Sequence, residues 1–396
     1  MKNRIFIAIH YMELGGAERA LLGLLEALDA ERYDVDLFVY SHQGELMEHI
    51  PPHIHLLPEH PVYAAYEKPL VQIFKQGHWA MMAARLWAKV MNRWHNRHLS
   101  GQVSSILDEV GRATSPILPS LHHLGEYDVA ISFLTPHYIV RDKVLTKKKI
   151  AWIHTDYSVV QVNAARELPV WAAYDHIVSI SPDVTRTFLQ CFPSLAPKIV
   201  EQENLLPVKL IQRQAEVFDA ASEMPGQIRL LSIGRFTPQK NFPQAVEIMA
   251  ELCKLRDDVT WYIIGYGGGE AEIREAIARF GMQEKFIILG KKANPYPYIK
   301  ACDLYVQPSI YEGKAVTVKE AQLLGKPVAI THYPTAESQV QDGEDGCILP
   351  LDNPADTAKR LHELLANPQK MLHIASRARK CATMQTLSQE LLAILQ

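Results

Sequence analysis

Two glutamates in one segment of the chain have the type and spacing expected of groups that bind a polar ligand. Glu312 and Glu320 stand eight positions apart within PSIYEGKAVTVKEAQLLGKPVAIT, residues 308–331. A strand pattern precedes Glu312, and a helix pattern follows it and ends at Gly325, so Glu312 lies in a loop and Glu320 inside a helix. Carboxylates accept hydrogen bonds from sugar or ribose hydroxyls, and helix N-terminal amides attract phosphate. The alternative is that Glu320 is a surface residue paired with a neighbouring lysine.

Two cations occur in a similar position earlier in the chain. Arg235 and Lys240 lie in SIGRFTPQKN, just after a strand pattern and at the start of a helix pattern. Two fixed positive charges beside a helix N-terminus make a suitable binding place for a diphosphate. A solvated loop with two ordinary surface cations is the alternative.

A run of glycines in IIGYGGGEAEI superficially matches a dinucleotide-binding fingerprint. Gly265, Gly267 and Gly268 follow a strand pattern, but the sixth position of the motif is Glu270 rather than glycine or alanine. We therefore favour a tight turn in which the backbone approaches a ligand or another loop.

Metal and disulfide chemistry have weak support in the sequence. Asp34 and Asp36 form a D-x-D pattern, but they begin an early strand, whereas ligands of parallel sheets collect at carboxyl ends. The five cysteines are dispersed and include no C-x-x-C pair, which favours a reducing cytoplasm. We expect no metal and no cofactor.

The composition is that of a soluble globular enzyme with two or three domains. The chain has 396 residues, of which 48% are apolar and 21% charged. A net charge of -3 gives no general attraction to nucleic acid. The first apolar run is too short for a membrane span, and we interpret it as a buried strand.

Short, continuous apolar runs alternate with helix-length segments in both halves of the chain. Such runs are typical of parallel strands buried on both faces, so the sequence predicts an α/β protein with two parallel sheets. The predicted organisation is a first domain with a helical insertion at 1–205, a polar linker at 206–226, a second domain at 227–375 and a terminal helix at 376–396 that returns to the first domain.

One segment of the first half is basic and amphipathic. No acidic residue lies between Glu67 and Asp108. On a helical wheel, an apolar stripe is flanked by three cations, and such a helix can lie among lipid headgroups. We expect contact with an anionic membrane through residues 68–98, and packing on the first domain is the alternative. The stripe contains Trp79, Met82, Leu86, Val90 and Trp94, and the flanking cations are Arg85, Lys89 and Arg93.

The order and spacing of four motifs resemble family 4 glycosyltransferases of the GT-B type. The motifs are GGAER at 15–19, GRFTPQKN at 234–241, GYGGGE at 265–270 and EGKAVTVKE at 312–320. The resemblance is dense in the second half and sparse in the first, where it includes only the glycine loop and the surroundings of WIHTD. It implies two Rossmann-like domains facing across a cleft and a sugar transferred from a nucleotide donor with retention of anomeric configuration.

The resemblance also assigns roles to individual residues. It implies that Arg235 and Lys240 stabilise the departing diphosphate, that Glu320 binds ribose hydroxyls and that Glu312 contacts the donor sugar. It also implies that His154 faces the transferred sugar and that the loop of Gly15 and Gly16 closes on the donor. Lys314 stands where the family commonly has an apolar residue. The further donor contacts are Gly290, Lys314, Ala315 and Val316.

The resulting prediction is a metal-independent, retaining glycosyltransferase. Its donor is expected to be a nucleotide sugar, most readily a UDP-sugar, and its acceptor a glycan or lipid-linked hydroxyl in bacterial surface polysaccharide synthesis. We expect it in the cytoplasm or at the cytoplasmic face of the inner membrane. A nucleotide-sugar epimerase and a non-catalytic sugar-binding protein on the same fold are the alternatives.

Overall fold

The computed structural model describes residues 2–97, 105–158, 160–312, 314–383 and 386–396. Contacts between residues divide the chain into two compact units. The first unit comprises Met1–Leu205 together with Thr386–Gln396, and the second unit comprises Leu206–Gln385.

The first unit is built on a seven-stranded parallel sheet of order β3-β2-β1-β4-β5-β6-β7. Its central strands are apolar along their length, and Ile5, Phe6 and Ile7 are fully buried because helices cover both faces. The strands are β1 (Asn3–Ile9), β2 (Tyr33–Val39), β3 (His55–Leu56), β4 (Glu126–Ser132), β5 (Leu145–Ile153), β6 (His176–Ser179) and β7 (Ile199–Glu201). The helices are α1 (Gly16–Ala27), α2 (Pro61–Glu67), α3 (Leu70–Lys75), α4 (Trp79–His95), α5 (Ser105–Thr114), α6 (Tyr138–Lys143), α7 (Ala164–Ala172), α8 (Pro182–Cys191) and, near the C-terminus, α17 (Gln389–Leu395).

The second unit is built on a six-stranded parallel sheet of order β10-β9-β8-β11-β12-β13. Trp261 and Met249, from a strand and a covering helix, are both fully buried in one of its cores. The strands are β8 (Ile228–Ile233), β9 (Val259–Ile264), β10 (Phe286–Gly290), β11 (Leu304–Gln307), β12 (Val328–Thr331) and β13 (Cys347–Leu349). The helices are α9 (Val208–Gln214), α10 (Phe242–Cys253), α11 (Glu270–Phe280), α12 (Tyr296–Ala301), α13 (Val316–Leu323), α14 (Ala336–Gln339), α15 (Pro354–Leu365) and α16 (Pro368–Thr383).

Both sheets reverse their strand order at one place, and this topology determines where a ligand can bind. The reversal lies between β1 and β4 in the first unit and between β8 and β11 in the second. Loops that leave adjacent strands at such a reversal run to opposite faces of the sheet, and the crevice between them is the usual binding place in doubly wound folds.

The segment predicted as a linker, residues 206–226, is instead part of the second unit. It contains α9, and its apolar side chains Leu206, Ile211 and Met224 are buried in a core of that unit. The linker prediction was wrong because the charged residues of the segment are interspersed with apolar residues that pack into this core.

The terminal segment also differs from the prediction of one helix at 376–396. α16 belongs to the second unit and ends at Thr383, whereas α17 belongs to the first unit. Leu391 and Leu395 of α17 are fully buried, and the side-chain amide of Asn3 donates to the carbonyls of Leu395 and Gln396 at 3.0 and 2.9 Å. Among the described residues, none of the helices combines the length and apolar character needed to cross a bilayer.

Candidate functional site

The loops that follow β8 and β11 are joined by a short ion pair. Lys240 Nζ lies 2.5 Å from Glu312 Oε1, and both side chains are largely buried, with 16% and 8% of their surface exposed. The backbone reinforces the junction, because the N–H of Ile310 donates to the carbonyl of Gln239 at 2.9 Å. The structure therefore brings together two of the predicted site residues, at the reversal of strand order.

Glu312 is held by more than the lysine. Ser309 Oγ donates to its Oε1 at 2.6 Å, and Gln307 Nε2 lies 3.3 Å from the same oxygen. Gln239 Nε2 lies 3.4 Å from the other oxygen, and Thr335 Oγ1 donates to the backbone carbonyl of Glu312. A buried carboxylate costs free energy unless it is paired in this way. The network fixes the position of Glu312, and its glutamine and serine members were not predicted from the sequence.

Arg235 lies on the same loop as Lys240 and differs from it in exposure. The Arg235 side chain is exposed and has no hydrogen bond or ion pair with the described residues. The Lys240 stem instead packs over Gly234, where an added Cβ would lie 2.9 Å from Lys240 Cε. Asn241 then adopts a left-handed backbone with φ 56°, which turns the chain into α10. The loop thus presents one free guanidinium beside one ion-paired ammonium.

The glycine run after β9 supports this loop. Gly269 N–H donates to the carbonyl of Phe236 at 2.9 Å, and Phe236 N–H donates to the carbonyl of Tyr266 at 2.8 Å. A Cβ on Gly265 would lie 1.9 Å from the carbonyl oxygen of Gly234, so no larger residue fits. The glycine run thus forms the predicted tight turn, in which the backbone closely approaches another loop. That loop is the one that contains Arg235.

The N-terminus of α13 lies after the same β11 loop. Ala315 is its N-cap residue, and its N–H and carbonyl both bond to the Gln339 side-chain amide, at 3.1 and 2.7 Å. Val316 opens the helix, and Lys314 precedes the cap and is partly buried. Gly290 ends β10 with φ 74°, and its carbonyl accepts from Gly265 N–H at 3.0 Å.

Glu320 occupies the interior of α13 and is fully buried. Its Oε1 accepts from the Tyr296 hydroxyl at 2.9 Å. Because Glu320 is buried, the alternative of an exposed glutamate paired with a lysine is wrong. Charged side chains are almost never fully buried unless they have specific partners. The assigned role of Glu320 toward ribose stays a prediction.

The first unit presents a helix N-terminus after β1. Gly15 is the N-cap of α1, and Gly16 is its first residue. The Glu18 side chain folds back over this turn, where a Cβ on Gly15 would lie 2.0 Å from Glu18 Oε2. A side chain at position 15 would displace the flexible end of Glu18. The predicted contact of this loop with a donor remains a prediction.

His154 follows β5 and lies near a second histidine after β4. Burial lowers the pKa of His154 to about 3, and burial with the charges of His10 and His154 lowers the pKa of His137 to about 3. Ser132 Oγ lies 2.8 Å from His137 Nδ1. The Nε2 atoms of His137 and His154 are buried and have no hydrogen-bond partner among the described residues. Both rings are thus neutral near pH 7.

A cavity of about 40 Å³ lies beside His137, between α5, α7 and the segments that follow β4 and β5. Glu167 lines it, is 8% exposed and has an Oε1 without a hydrogen-bond partner in the described part of the chain. Burial, with the charge of Asp108, raises the pKa of Glu167 to about 8. Burial also raises the pKa of Asp108, which accepts from the Tyr138 hydroxyl at 2.7 Å. These residues were not predicted from the sequence, because they are distant in the chain and lie in no motif.

The D-x-D pair does not form an open ligand set. Asp36 Oδ1 lies 2.6 Å from His55 Nδ1, and its Oδ2 accepts from the Tyr127 hydroxyl at 2.5 Å. Asp34 is exposed near the start of β2, away from the carboxyl end. No three His, Cys, Asp or Glu side chains are grouped as metal ligands within the ranges that the structure describes.

Replacing Gly265 by alanine should disturb the Arg235 loop. The new Cβ would overlap the Gly234 carbonyl oxygen, so the loop after β8 must shift. We expect a melting temperature several degrees below that of wild type in a thermal-unfolding assay, which corresponds to about 1–3 kcal/mol. Gly268→Ala is the matched control, because a Cβ there meets nothing within 4 Å. Equal stability of the two variants would contradict the packing role of the glycine run.

Replacing Glu167 by glutamine should change how stability depends on pH. Its folded-state pKa of about 8 exceeds the ordinary 4.5, so the folded chain keeps a proton that the unfolded chain releases between these values. Stability is therefore lost as the pH rises from about 4.5 to about 8, and glutamine removes that loss. As the pH rises across this interval, the free energy of unfolding of the variant should increase relative to that of wild type by on the order of a few kcal/mol, as measured by urea unfolding.

Tryptophan fluorescence suits this measurement, because five of the six tryptophans lie in the first unit and only Trp261 in the second. Glu31→Gln, an exposed glutamate of the first unit, is the control and should leave the pH dependence unchanged. If Glu167→Gln behaves like Glu31→Gln, the cavity does not hold Glu167 in its neutral form.

Comparison with known proteins gives a family match within the second unit. Residues 214–381 match the model described as "Glycosyl transferases group 1", a range that includes the two cations and two glutamates of the site. The chain is similar to the amylovoran biosynthesis glycosyltransferase AmsK of Erwinia amylovora, with 24% identity over 58% of this chain and 64% of that one. It is also similar to a Campylobacter jejuni N-acetylgalactosaminyltransferase that acts on a diphospho-undecaprenol, with 29% identity over 31% and 33%. The matches thus span about one third to two thirds of these relatives.

A solved structure resembles the chain over nearly its whole length. Anabaena HepE in complex with UDP and glucose has a TM-score of 0.66 at 16% identity, and the alignment covers 99% of this chain and 97% of HepE. At this identity the likeness shows the fold. The chain therefore has the GT-B fold of two Rossmann-like parallel-sheet domains, and the comparisons support a GT-B glycosyltransferase.

Proposed function

We propose that this chain transfers a sugar from a nucleotide-sugar donor to a hydroxyl group with retention of anomeric configuration. The observation that carries the proposal is the ion pair of Lys240 with Glu312, which joins the loops after β8 and β11, together with the exposed Arg235 on the first of these loops. These loops flank the reversal of strand order in the unit that matches the glycosyl transferase model.

The cations of this junction suit a diphosphate. Arg235 offers a planar set of N–H donors that match phosphate oxygens, and its exposure leaves these donors available. An ammonium group has three N–H donors, so Lys240 can bond to Glu312 and still donate to a phosphate. Because Glu312 offsets the charge of Lys240, Arg235 should supply most of the attraction for a dianion.

The carboxylates suit the hydroxyl groups of the donor. Glu312 is fixed by Lys240 and Ser309, and it lies in the loop that precedes the N-terminus of α13. Glu320 is one turn further along α13, where Tyr296 holds one oxygen. We assign Glu312 to the donor sugar and Glu320 to the ribose.

The proposed reaction needs no protein base. The bond between C1 of the sugar and the β-phosphate oxygen breaks, and its electron pair leaves with the nucleoside diphosphate. The acceptor hydroxyl oxygen attacks C1 from the same face, and its proton passes to the departing phosphate. Arg235 and Lys240 offset the charge that develops on the diphosphate. His154, with a pKa of about 3, is a weak base and would act as a neutral hydrogen-bonding group.

The relatives guide the choice of substrates. HepE was crystallised with UDP and glucose, AmsK is named for amylovoran biosynthesis, and the Campylobacter enzyme is named for an undecaprenol-linked acceptor. We therefore propose a UDP-sugar as donor and a glycan or lipid-linked hydroxyl as acceptor, in bacterial surface polysaccharide synthesis at the cytoplasmic side of the membrane.

Transfer from a UDP-sugar is the direct test of the proposal. Purified protein should release UDP only when an acceptor is present, and NMR of the product should show the anomeric configuration of the donor. An inverted product would remove the retaining mechanism. Conversion of the donor to its epimer without an acceptor would replace the proposal by the epimerase alternative.

Binding of UDP and inorganic pyrophosphate should separate the roles of Arg235 and Glu320. Arg235→Ala removes a phosphate ligand, so both should bind about tenfold or more weakly in calorimetric titration. Glu320→Gln removes a ribose acceptor, so UDP alone should bind more weakly. Arg213→Ala, an exposed arginine of the same unit on α9, should change neither. Unchanged UDP binding by the first two variants would show that the nucleotide site lies elsewhere.

A further inference from the structure

The helix α4 exposes its apolar side chains to solvent. Trp79, Trp87, Val90 and Trp94 are 56%, 60%, 59% and 62% exposed, and Leu86 is 45% exposed. At 100° per residue these five positions cover an arc of about 100°. We call this set the outer face of α4.

The buried side of α4 lies opposite and is small. Met81 and Ala88 are 1% and 0% exposed, and on the helical wheel they lie about 160° from the middle of the outer face. A surface helix of a globular protein normally turns its large apolar residues toward the core. In α4 the five residues of the outer face point away from it, and monomeric soluble proteins rarely expose contiguous apolar patches of this kind without a partner.

The apolar surface continues onto α3. Val71 and Phe74 of this helix are 67% and 48% exposed. The Phe74 ring contacts the Trp79 ring edge to face, with centroids 4.5 Å apart. The outer face is therefore part of a two-helix surface rather than a single stripe.

Exposed cations lie along one flank of the outer face and near its ends. Lys75, Lys89, Arg93 and Arg97 are all exposed, and the sequence has no acidic residue from 68 to 107. Arg85, which the sequence placed among the flanking cations, is instead turned inward, where its guanidinium donates to the carbonyl of Lys68 at 2.5 Å. His98, the last residue of the predicted membrane segment, lies outside the described residues.

This combination selects one occupant among the possible ones. Tryptophan and aliphatic side chains insert at the boundary of headgroups and acyl chains, and Lys and Arg bind anionic headgroups. A second copy of the chain would bring the same cations face to face in a two-fold contact, which is unfavourable. We infer that α3 and the outer face of α4 dock this protein on the surface of a bilayer that contains anionic lipids. The inference does not depend on the proposed sugar transfer.

Binding to vesicles tests this inference on the full chain. In flotation assays the protein should bind vesicles of phosphatidylcholine with phosphatidylglycerol much better than phosphatidylcholine alone, and added salt should weaken binding. Its tryptophan emission should shift to shorter wavelength, because Trp79, Trp87 and Trp94 leave water.

Two double variants test the apolar and the charged contributions separately. Trp87→Gln with Trp94→Gln removes apolar insertion, and Lys89→Glu with Arg93→Glu reverses the charge. Each should lower the partition coefficient about tenfold or more. The matched control is Lys209→Glu with Arg213→Glu, a Lys and Arg pair of the same spacing, exposed on α9 of the second unit. For the apolar variant, the control is Leu372→Gln, which is 71% exposed on α16.

All four variants should keep the wild-type melting temperature and UDP binding, because the substituted side chains are exposed and lie outside the proposed donor site. Absence of vesicle binding by the wild type, or binding that neither double variant changes, would overturn the inference. Self-association of the wild type that the outer-face variants abolish would also overturn it, because a second copy would then cover this surface.

Discussion

The ion pair between Lys240 and Glu312 depends on a constraint of sheet topology. Parallel strands must be joined by crossover connections. Where the strand order of the sheet reverses, the loops that follow the two adjacent strands run to opposite faces of the sheet. β8 and β11 meet at that place, so residues separated by more than 70 positions come within hydrogen-bond distance. The glycine run, the Ser309 and Gln307 contacts and the cap of α13 all hold one or the other of these two loops.

The first unit has the same strand order at its reversal but different electrostatics. Its carboxyl ends carry His137 and His154, whose pKa values are lowered by burial, and a nearby glutamate whose pKa is raised by it. Near pH 7 these groups are uncharged hydrogen-bonding groups, whereas the second unit presents the exposed guanidinium of Arg235.

Sequence reasoning succeeded where local patterns carry the information. Continuous apolar runs predicted the parallel sheets, and the strand, loop and helix order around Arg235 and Glu312 was readable because each motif is contiguous. It failed where burial depends on tertiary contacts. The segment 206–226 has charged residues that hid the apolar set buried in the second unit. The stripe predicted on α4 shares Trp79, Leu86, Val90 and Trp94 with the exposed face, but Trp87 was missed and Arg85 is turned inward. Periodicity alone does not tell which side of a helix faces the core. Glu167 and Asp108 meet only through folding, so no spacing in the chain indicated their cavity.

The return of α17 to the first unit bears on the order in which the protein can mature on the ribosome. Residues 386–396 are synthesised after the whole second unit, yet Leu391 and Leu395 complete the packing of the first. During translation, the contacts of β1 and β5 with α17 form only after residues 386–396 are made, since Asn3 and Lys148 donate to carbonyls of that helix. The first unit is therefore completed only after the second has been synthesised, and a nascent chain stalled before residue 386 would leave the apolar surface that α17 covers exposed to solvent.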